Sequence, residues 1–368
     1  MMIGIGKLIA NGMKQAVAIA LVAAALLFAG CQDGGMIALF PKAEKPIPQN
    51  LVKKMKAKGM TASSPIMIRI FKEESALEVW KQNDKGRYEL LETYEICKWS
   101  GKLGPKFKEG DRQAPEGFYT INPYQMNPKS DYYLSFNIGF PNAYDRANER
   151  TGTHLMVHGA CSSAGCYSMT DERIGEIYAL AREAFKGGQK SFQVQAYPFR
   201  MTPENMAEHK DDPNFEFWKM LKEGSDHFEI THNPPKVDVC DKQYVFNRIA
   251  EDEKAFKPTR ACPESTTPDS LSLAYSQKVS KDEAIFEEVL KKKAMRDLFA
   301  AKTATNPPQG TGSVPEAAAT PALQEEAGRA LTETGDPVPV PDPSPLTTVE
   351  AEPVKKKNWL QRLFAPKS

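Results

Sequence analysis

The pattern of apolar and polar positions predicts strands through the first half of the chain. Residues 66–71 are apolar apart from Arg69, and residues 88–97 carry several apolar side chains at even spacing, as a half-buried strand requires. Glycine and proline divide this region into short segments. The pattern predicts further strands at 117–121, 132–138, 153–157 and 191–197. A β-rich core follows from this arrangement.

Two segments have helical periodicity instead. Apolar side chains recur three and four residues apart from Ile174 to Phe185, after an acidic first turn that Thr170 precedes and before two glycines. A second helix is predicted from Ser280, as the N-cap residue, to Phe299. We therefore predict a mainly β, α+β fold with flanking helices.

The N-terminal segment has the pattern of a signal peptide. Residues 1–30 contain two lysines, no acid and an apolar run too short to cross a bilayer stably. The run ends in Leu-Phe-Ala-Gly-Cys at residues 27–31, which resembles the lipobox of bacterial lipoproteins. The resemblance implies lipidation of Cys31 and a periplasmic protein anchored to the outer membrane. A plain secretory signal cleaved nearby is the alternative.

The C-terminal segment has the composition of a disordered tail. Residues 303–354 are rich in Pro, Ala, Thr and Glu, and the last fourteen residues are predicted to form a basic amphipathic tip, with a solvated end that carries incidental aromatics as the alternative. The predicted organisation is a signal peptide at 1–30, a linker at 31–59 and a β-rich domain at 60–202. A helical or irregular extension at 203–302 and a disordered tail at 303–368 complete it.

Charge excludes one class of function. The 368 residues include 48 Lys and Arg against 47 Asp and Glu, a formal net charge of +1. A chain this balanced lacks the basic surface that nucleic-acid binding requires. We therefore predict no nucleic-acid partner.

Candidate chemistry is concentrated in residues 153–169, where a predicted strand leads through a Gly- and Ser-rich loop into the first helix. The loop carries Cys166, and His158 lies eight residues earlier. A nearby imidazole and free N–H groups can lower the pKa of a thiol, and Gly165 would let backbone amides approach an oxyanion. A buried structural role for Cys166 is the alternative, since cysteine is often buried.

The same segment resembles the L,D-transpeptidase catalytic domain family of the YkuD type. His158-Gly159 followed by Ser-Ala-Gly-Cys at 163–166 is similar to that family's signature. Residues 110–111, 115–119 and 135–142 resemble its preceding strands and loops. The Tyr-Pro-Phe-Arg-Met run at 197–201 and the short loop before the cysteine resemble the YafK-like murein branch.

The resemblance implies a β-rich catalytic domain over about 60–202 that acts on peptidoglycan without a cofactor, in cell-wall biogenesis and cell shape. Cys166 would attack a stem peptide and form a thioester, and His158 would act as general acid and base. The carbonyl of Gly159 would orient His158, and the N–H groups of Gly165 and Cys166 would bind the oxyanion. An amine acceptor would make a crosslink, whereas water would make the enzyme a hydrolase.

Substrate contacts are predicted at Ser163, Tyr167 and Arg200. Ser168 stands where the common form of the signature has an arginine, so Arg200 is the candidate replacement, with a structural ion pair as its alternative. The missing arginine also leaves open an inactive, lipid-anchored scaffold that binds the cell wall. Protein partners are not predicted.

The remaining cysteines and histidines receive structural interpretations. Four cysteines are left once Cys31 and Cys166 are assigned, and they allow three disulfide pairings that the sequence does not decide. They are Cys97, Cys161, Cys240 and Cys262. His154 and His158 are four residues apart, but in a predicted strand this spacing does not indicate a metal site.

Overall fold

The computed structural model describes residues 41–252 and 255–305, with side chains to residue 299. The strands are β1 (Ile66–Phe71), β2 (Ala76–Gln82), β3 (Tyr88–Glu95), β4 (Lys98–Trp99), β5 (Gly117–Ile121), β6 (Met126–Asn127), β7 (Ser135–Asn137), β8 (Met156–His158), β9 (Tyr167–Ser168), β10 (Phe192–Tyr197), β11 (Val237–Cys240) and β12 (Gln243–Phe246). The α-helices are α1 (Gln49–Ala57), α2 (Ala143–Ala147), α3 (Asp171–Lys186), α4 (Pro203–Glu208), α5 (Phe215–Thr231) and α6 (Asp269–Thr305). The α+β class predicted from the sequence is confirmed.

A five-stranded sheet in the order β3-β2-β1-β10-β5 forms the centre of the molecule. Its strands run antiparallel except for the parallel pair β1 and β10. Every residue of β1 is buried, because both faces of this sheet are covered. Ile68 and Ile70 face a core shared with α3, whereas Met67 and Phe71 face clusters that include residues of α5.

A second five-stranded sheet, in the order β4-β9-β8-β7-β6, carries the residues of chemical interest. Strands β8 and β9 are parallel, with Val157 opposite Tyr167 and His158 opposite Ser168. The end of β8 therefore lies beside the residues that begin β9. Helix α3 follows directly after β9.

Helix α3 has the boundaries and N-cap that its sequence predicts. The Thr170 side chain accepts a hydrogen bond from the Arg173 N–H, and Gly187 is the C-cap residue. Ile174 and Ile177 are fully buried. The second predicted helix lies within α6, but its predicted start at Ser280 is wrong. Leu271 and Val279 are both buried, and residues eight apart lie on the same face of a helix. The buried face of α6 therefore begins before Ser280.

Two predicted strands are shorter than expected because the backbone turns left-handed within them. The segment 153–157 is irregular up to Met156, since His154 has φ +54°, and only β8 is extended. Within 132–138, Tyr133 has φ +66° and the strand is limited to β7. Left-handed residues cannot continue a β-ladder.

Segments outside the predicted β-rich domain pack against it. Helix α1 falls in the predicted linker and buries Leu51 and Met55 in the core shared with α3. Helix α5 and the β11–β12 hairpin cover the other face of the central sheet, where Trp218 and Phe246 join Phe118 in one cluster. The predicted extension therefore shares a core with the central sheet.

Some predictions fall outside the described residues. They concern the signal peptide at 1–30, the lipidated Cys31 and the tail from 306 onward. Within the described ranges, no helix is long and apolar enough to cross a membrane.

A buried ion pair joins the end of strand β1 to the residue that precedes strand β5. Lys72, directly after β1, lies 2.9 Å from the Glu116 carboxylate, and both side chains are fully buried. Lys72 also donates to the Gly104 carbonyl, while Glu116 accepts hydrogen bonds from the Gly104 N–H and the Trp218 indole N–H. Burial lowers the pKa of Lys72, and the neighbouring Glu116 opposes that shift.

This pair gives a test of stability. We expect Lys72→Met to destabilise the fold by roughly 3–5 kcal/mol, because Glu116 would stay buried without its cation. The double variant Lys72→Met/Glu116→Gln should lose clearly less, since no unpaired charge remains. Urea unfolding followed by circular dichroism measures both. A double variant as unstable as the single one would contradict this account.

Candidate active site

Parallel pairing of β8 and β9 places His158 and Cys166 on one face of the second sheet. Val157 and Tyr167 are paired and both point into the core. Because side chains alternate along a strand, His158 and the residue before Tyr167 lie on the opposite face. Cys166 is a free, half-buried thiol, and His158 is only 3% exposed.

The loop between these two residues is held by Ser163. Its Oγ donates to the Cys166 carbonyl at 2.6 Å and accepts the Cys166 N–H at 3.0 Å. It also lies 2.8 Å from the Ser100 hydroxyl. These contacts correct two expectations: Ser163 is occupied within the loop rather than free to bind substrate, and the Cys166 N–H is not free for an oxyanion.

Gly165 occupies a conformation that favours glycine. Its φ is +120°, while a Cβ added there would meet only ordinary contacts, the nearest at 3.5 Å from Leu155. The requirement is therefore one of backbone conformation rather than of space. No hydrogen bond from the Gly165 N–H to the described residues is present, so this amide is free to donate.

A disulfide fixes the other side of the loop. Cys97 is bonded to Cys161, and Cys240 to Cys262, which selects one of the three possible pairings. The Cys97 N–H donates to the Ser168 carbonyl, and the Cys161 N–H donates to Met169. Cys97 precedes β4 and Cys161 follows β8, so the first disulfide links the loop to the two strands that flank β9 in the sheet.

His158 is oriented by the main chain that follows it. Its Nδ1 donates to the Gly159 carbonyl at 2.6 Å, which leaves Nε2 as the acceptor nitrogen of a neutral ring. The Tyr132 ring packs on the imidazole with centroids 4.7 Å apart. Burial lowers the pKa of His158, and the Gly159 carbonyl partly opposes this shift. The histidine is therefore neutral at pH 7.

Gly159 is required by close packing. A Cβ at this position would lie 2.6 Å from Asp171 Oδ1 and 2.8 Å from the Tyr132 carbonyl oxygen. The same Asp171 side chain, at the start of α3, accepts a hydrogen bond from the Ala160 N–H. The start of α3 therefore packs closely against Gly159, the residue after His158, and a larger side chain at position 159 would not fit.

The Cys166 thiol is protonated in the resting site. Its Sγ donates to the His154 carbonyl at 3.8 Å, and no hydrogen bond joins it to His158 in the described structure. Burial raises the pKa of Cys166, and the Met156 N–H and the Lys106 ammonium only partly offset this effect. The expectation of a lowered thiol pKa is therefore wrong for the resting state.

Two of the predicted substrate contacts lie elsewhere. Tyr167 is fully buried, and its hydroxyl donates to the Pro115 carbonyl at 2.6 Å. Arg200 pairs with Glu78 at 2.7 Å and stacks on Phe71, on the face of the central sheet opposite α3. The Tyr167 side chain lies in the core rather than on the face of His158, and Arg200 follows a strand of the other sheet. For Arg200 the structural ion pair is correct.

Three contributors to the site had no sequence signal. Ser100 reaches Ser163 because β4 pairs with β9, Tyr132 covers His158, and Lys106 supplies a buried positive charge near Cys166. Each is distant in sequence from the loop. No cluster of three or more potential metal ligands occurs in the described part of the chain.

The fold and this constellation define a member of the L,D-transpeptidase catalytic domain family. The family's YkuD sequence profile matches residues 67–218. The chain belongs to this family.

The chain is also similar to individual proteins and solved structures. YafK of Escherichia coli K12, whose name assigns it to the L,D-transpeptidases, is 48% identical over 191 residues, covering 52% of this chain and 77% of YafK. The O157:H7 protein matches equally. Among solved structures, the helical cell shape determining protein Pgp2 of Campylobacter jejuni has a TM-score of 0.30 and 19% identity over 52% of this chain and 80% of its own. Bd1075 of Bdellovibrio bacteriovorus has a TM-score of 0.27 and 15% identity over 56% and 95%.

The protonation state of the thiol predicts its reactivity. Because burial raises the pKa of Cys166, the thiolate fraction at pH 7 is smaller than that of an ordinary cysteine. We expect the rate of iodoacetamide alkylation at Cys166 to rise with pH and reach its midpoint above about 8.5. Peptide mapping across a pH series measures the rate, with Cys166→Ala as control. A midpoint near 7 would refute the protonated resting state.

The two disulfides give a matched comparison. Cys97 and Cys161 are 64 residues apart, so replacing both by alanine should cost roughly 4 kcal/mol of stability in the chain-entropy account. Releasing the loop should also expose Cys166 and accelerate its alkylation at pH 7. The pair Cys240→Ala/Cys262→Ala, with a separation of 22, should cost about 3 kcal/mol and leave alkylation unchanged. Equal alkylation in both variants would contradict a role for the first disulfide in holding the loop.

Proposed function

We propose that this protein is a cysteine-dependent L,D-transpeptidase that acts on peptidoglycan stem peptides through a thioester acyl-enzyme. The observation that carries the proposal is the pairing of β8 with β9, which brings a free thiol at Cys166 to the same face as an oriented, neutral His158. Membership of the L,D-transpeptidase family supports the reaction class.

In this mechanism His158 moves one proton twice. Its Nε2 accepts the thiol proton as the Cys166 sulfur bonds to the carbonyl carbon of the third stem residue. The tetrahedral intermediate then expels the terminal D-residue, whose amine takes the proton from His158. A neutral histidine with a free Nε2 is the form that this sequence of steps requires, and its Nδ1 contact with Gly159 favours that form.

Stabilisation of the oxyanion falls first to Gly165. Its N–H has no partner in the described structure, whereas the Cys166 N–H is engaged by Ser163. A preorganised donor of this kind contributes about 3 kcal/mol where it has been measured. The Cys166 amide would contribute only after it leaves the Ser163 hydroxyl.

The second half of the reaction decides the product. An amine from another stem peptide would resolve the thioester into a crosslink, whereas water would release a free peptide or a wall-attached protein. Both outcomes use the same acyl-enzyme and the same histidine. An exported protein anchored to the outer membrane through Cys31, which we also propose, would meet this substrate in the periplasm.

Product analysis tests the proposal. We expect the purified protein to crosslink, or to exchange the terminal D-residue of, defined stem tetrapeptides and intact sacculi, as measured by mass spectrometry. Cys166→Ala should abolish these products because no thioester can form. His158→Gln should reduce them by at least about 100-fold, in line with the loss of a general acid and base.

The controls separate the alternatives. His209→Gln removes an imidazole that contacts Glu73 and stacks on Phe199, and it should leave the products unchanged. Released peptides or proteins without crosslinking or exchange, lost in Cys166→Ala, would establish a hydrolase of the same mechanism. The absence of any Cys166-dependent product on both substrates would favour the wall-binding scaffold.

A further inference from the structure

A cation beside Cys166 would favour the proposed reaction. The D-residue that leaves the stem peptide ends in a free carboxylate, and a charge-assisted pair is the strongest means of holding such a group. The inference that follows rests on the proposed function. Ser168 is fully buried and uncharged, and Arg200 lies on the far side of the central sheet. The positive group must therefore come from another segment.

The loop of residues 106–113 forms a wall of the site. A Cβ built on Gly165 would lie 3.8 Å from the Arg112 Cα and 3.9 Å from its carbonyl carbon. Gly165 directly precedes the nucleophile. The Arg112 backbone therefore lies beside the residue that precedes Cys166.

The backbone of this loop is fixed by Asp111. Its Oδ2 accepts hydrogen bonds from the N–H groups of Phe107 and Lys108 at 2.9 and 3.0 Å, and its Oδ1 accepts from the Gln113 N–H at 3.0 Å. The same carboxylate pairs with the buried Lys106 ammonium. The Lys106 ammonium is thereby occupied by an ion pair within the loop.

Arg112 is held in an unfavourable conformation at the tip of this clamp. Its φ is +52°, in the left-handed region that few residues other than glycine adopt. The four contacts of Asp111 impose that conformation from both sides. Backbone strain that the surrounding structure maintains occurs often at functional sites, and at Arg112 it accompanies the contact with Gly165.

The Arg112 side chain is exposed and has no partner among the described residues. It makes no ion pair, hydrogen bond or ring contact there. Arg69 and Arg150 are occupied, by contrast: Arg69 pairs with Glu229, and Arg150 with Asp145. A free, planar guanidinium on a rigid loop matches a carboxylate through two parallel hydrogen bonds.

We propose that Arg112 binds the terminal carboxylate of the departing D-residue and so positions the donor stem peptide against Cys166. The residue takes no part in proton transfer. The common form of the signature has an arginine at the position of Ser168. Arg112 supplies the carboxylate subsite in its place. It also selects donors that still carry a free C-terminus.

Matched substrates test this subsite. The full chain and its Arg112→Gln variant are assayed on a stem tetrapeptide with a free C-terminal carboxylate and on the same peptide with a C-terminal amide. We expect the wild type to prefer the acid by on the order of 10-fold in kcat/KM, mainly through KM. Arg112→Gln should lose that preference and leave turnover of the amide unchanged. Arg112→Lys should keep part of it, because the charge remains without the planar fork.

The control variant is Arg87→Gln, which removes an equal charge from the exposed β2–β3 turn. It should behave as the wild type on both peptides. Equal losses on acid and amide in Arg112→Gln, with unchanged alkylation of Cys166, would overturn the carboxylate subsite while leaving the proposed reaction standing. No Cys166-dependent turnover of either peptide by the wild type would overturn both.

Discussion

The buried ion pair of Lys72 and Glu116 is the interaction on which the arrangement of the site depends. Two charges without solvent contact do not stabilise a fold by themselves, since their desolvation offsets their attraction. Here the remaining hydrogen-bonding capacity is also used, by the Gly104 main chain and the Trp218 indole. The pair therefore fixes the end of β1, the loop around Gly104, the approach to β5 and helix α5 in a single geometry. Any displacement of one of these elements would leave a buried charge unsatisfied.

This frame reaches Cys166 through a short series of contacts. Pro115 precedes Glu116, and its carbonyl accepts the hydroxyl hydrogen bond of Tyr167, the residue that follows Cys166. The Lys72 ammonium also lies over the Trp99 ring at 5.5 Å, and Trp99 pairs with Tyr167 between β4 and β9. Tyr167 thus connects the cysteine to the frame. A residue first assigned to substrate acts on the site from within the core, by setting the position of its neighbour.

A single sequence shows which side chains are buried at regular intervals along an element, but not which distant segments pair with one another. Strand β1, helix α3 and the Thr170 cap were predictable because burial repeats along each element and capping is local. Cys166 and His158 could be selected from the sequence because both belong to one short motif, and their catalytic roles stay predictions. The roles of Ser163 and Arg200 were not, because they depend on strand pairing and on which face of a sheet a loop continues. Pairing between distant segments has no signature in a single sequence.

Burial of the site has two effects that act together. It raises the pKa of Cys166 and lowers that of His158, so the resting pair is neutral rather than an ion pair. A neutral thiol is a weak nucleophile, and the proposed mechanism therefore depends on proton transfer to His158 when substrate is bound. The same protonation protects the fold. Thiolates attack disulfides, and the Cys97–Cys161 bond begins only five residues before Cys166 in the same loop. A protonated Cys166 thiol is therefore less able than a thiolate to attack the disulfide of its own loop.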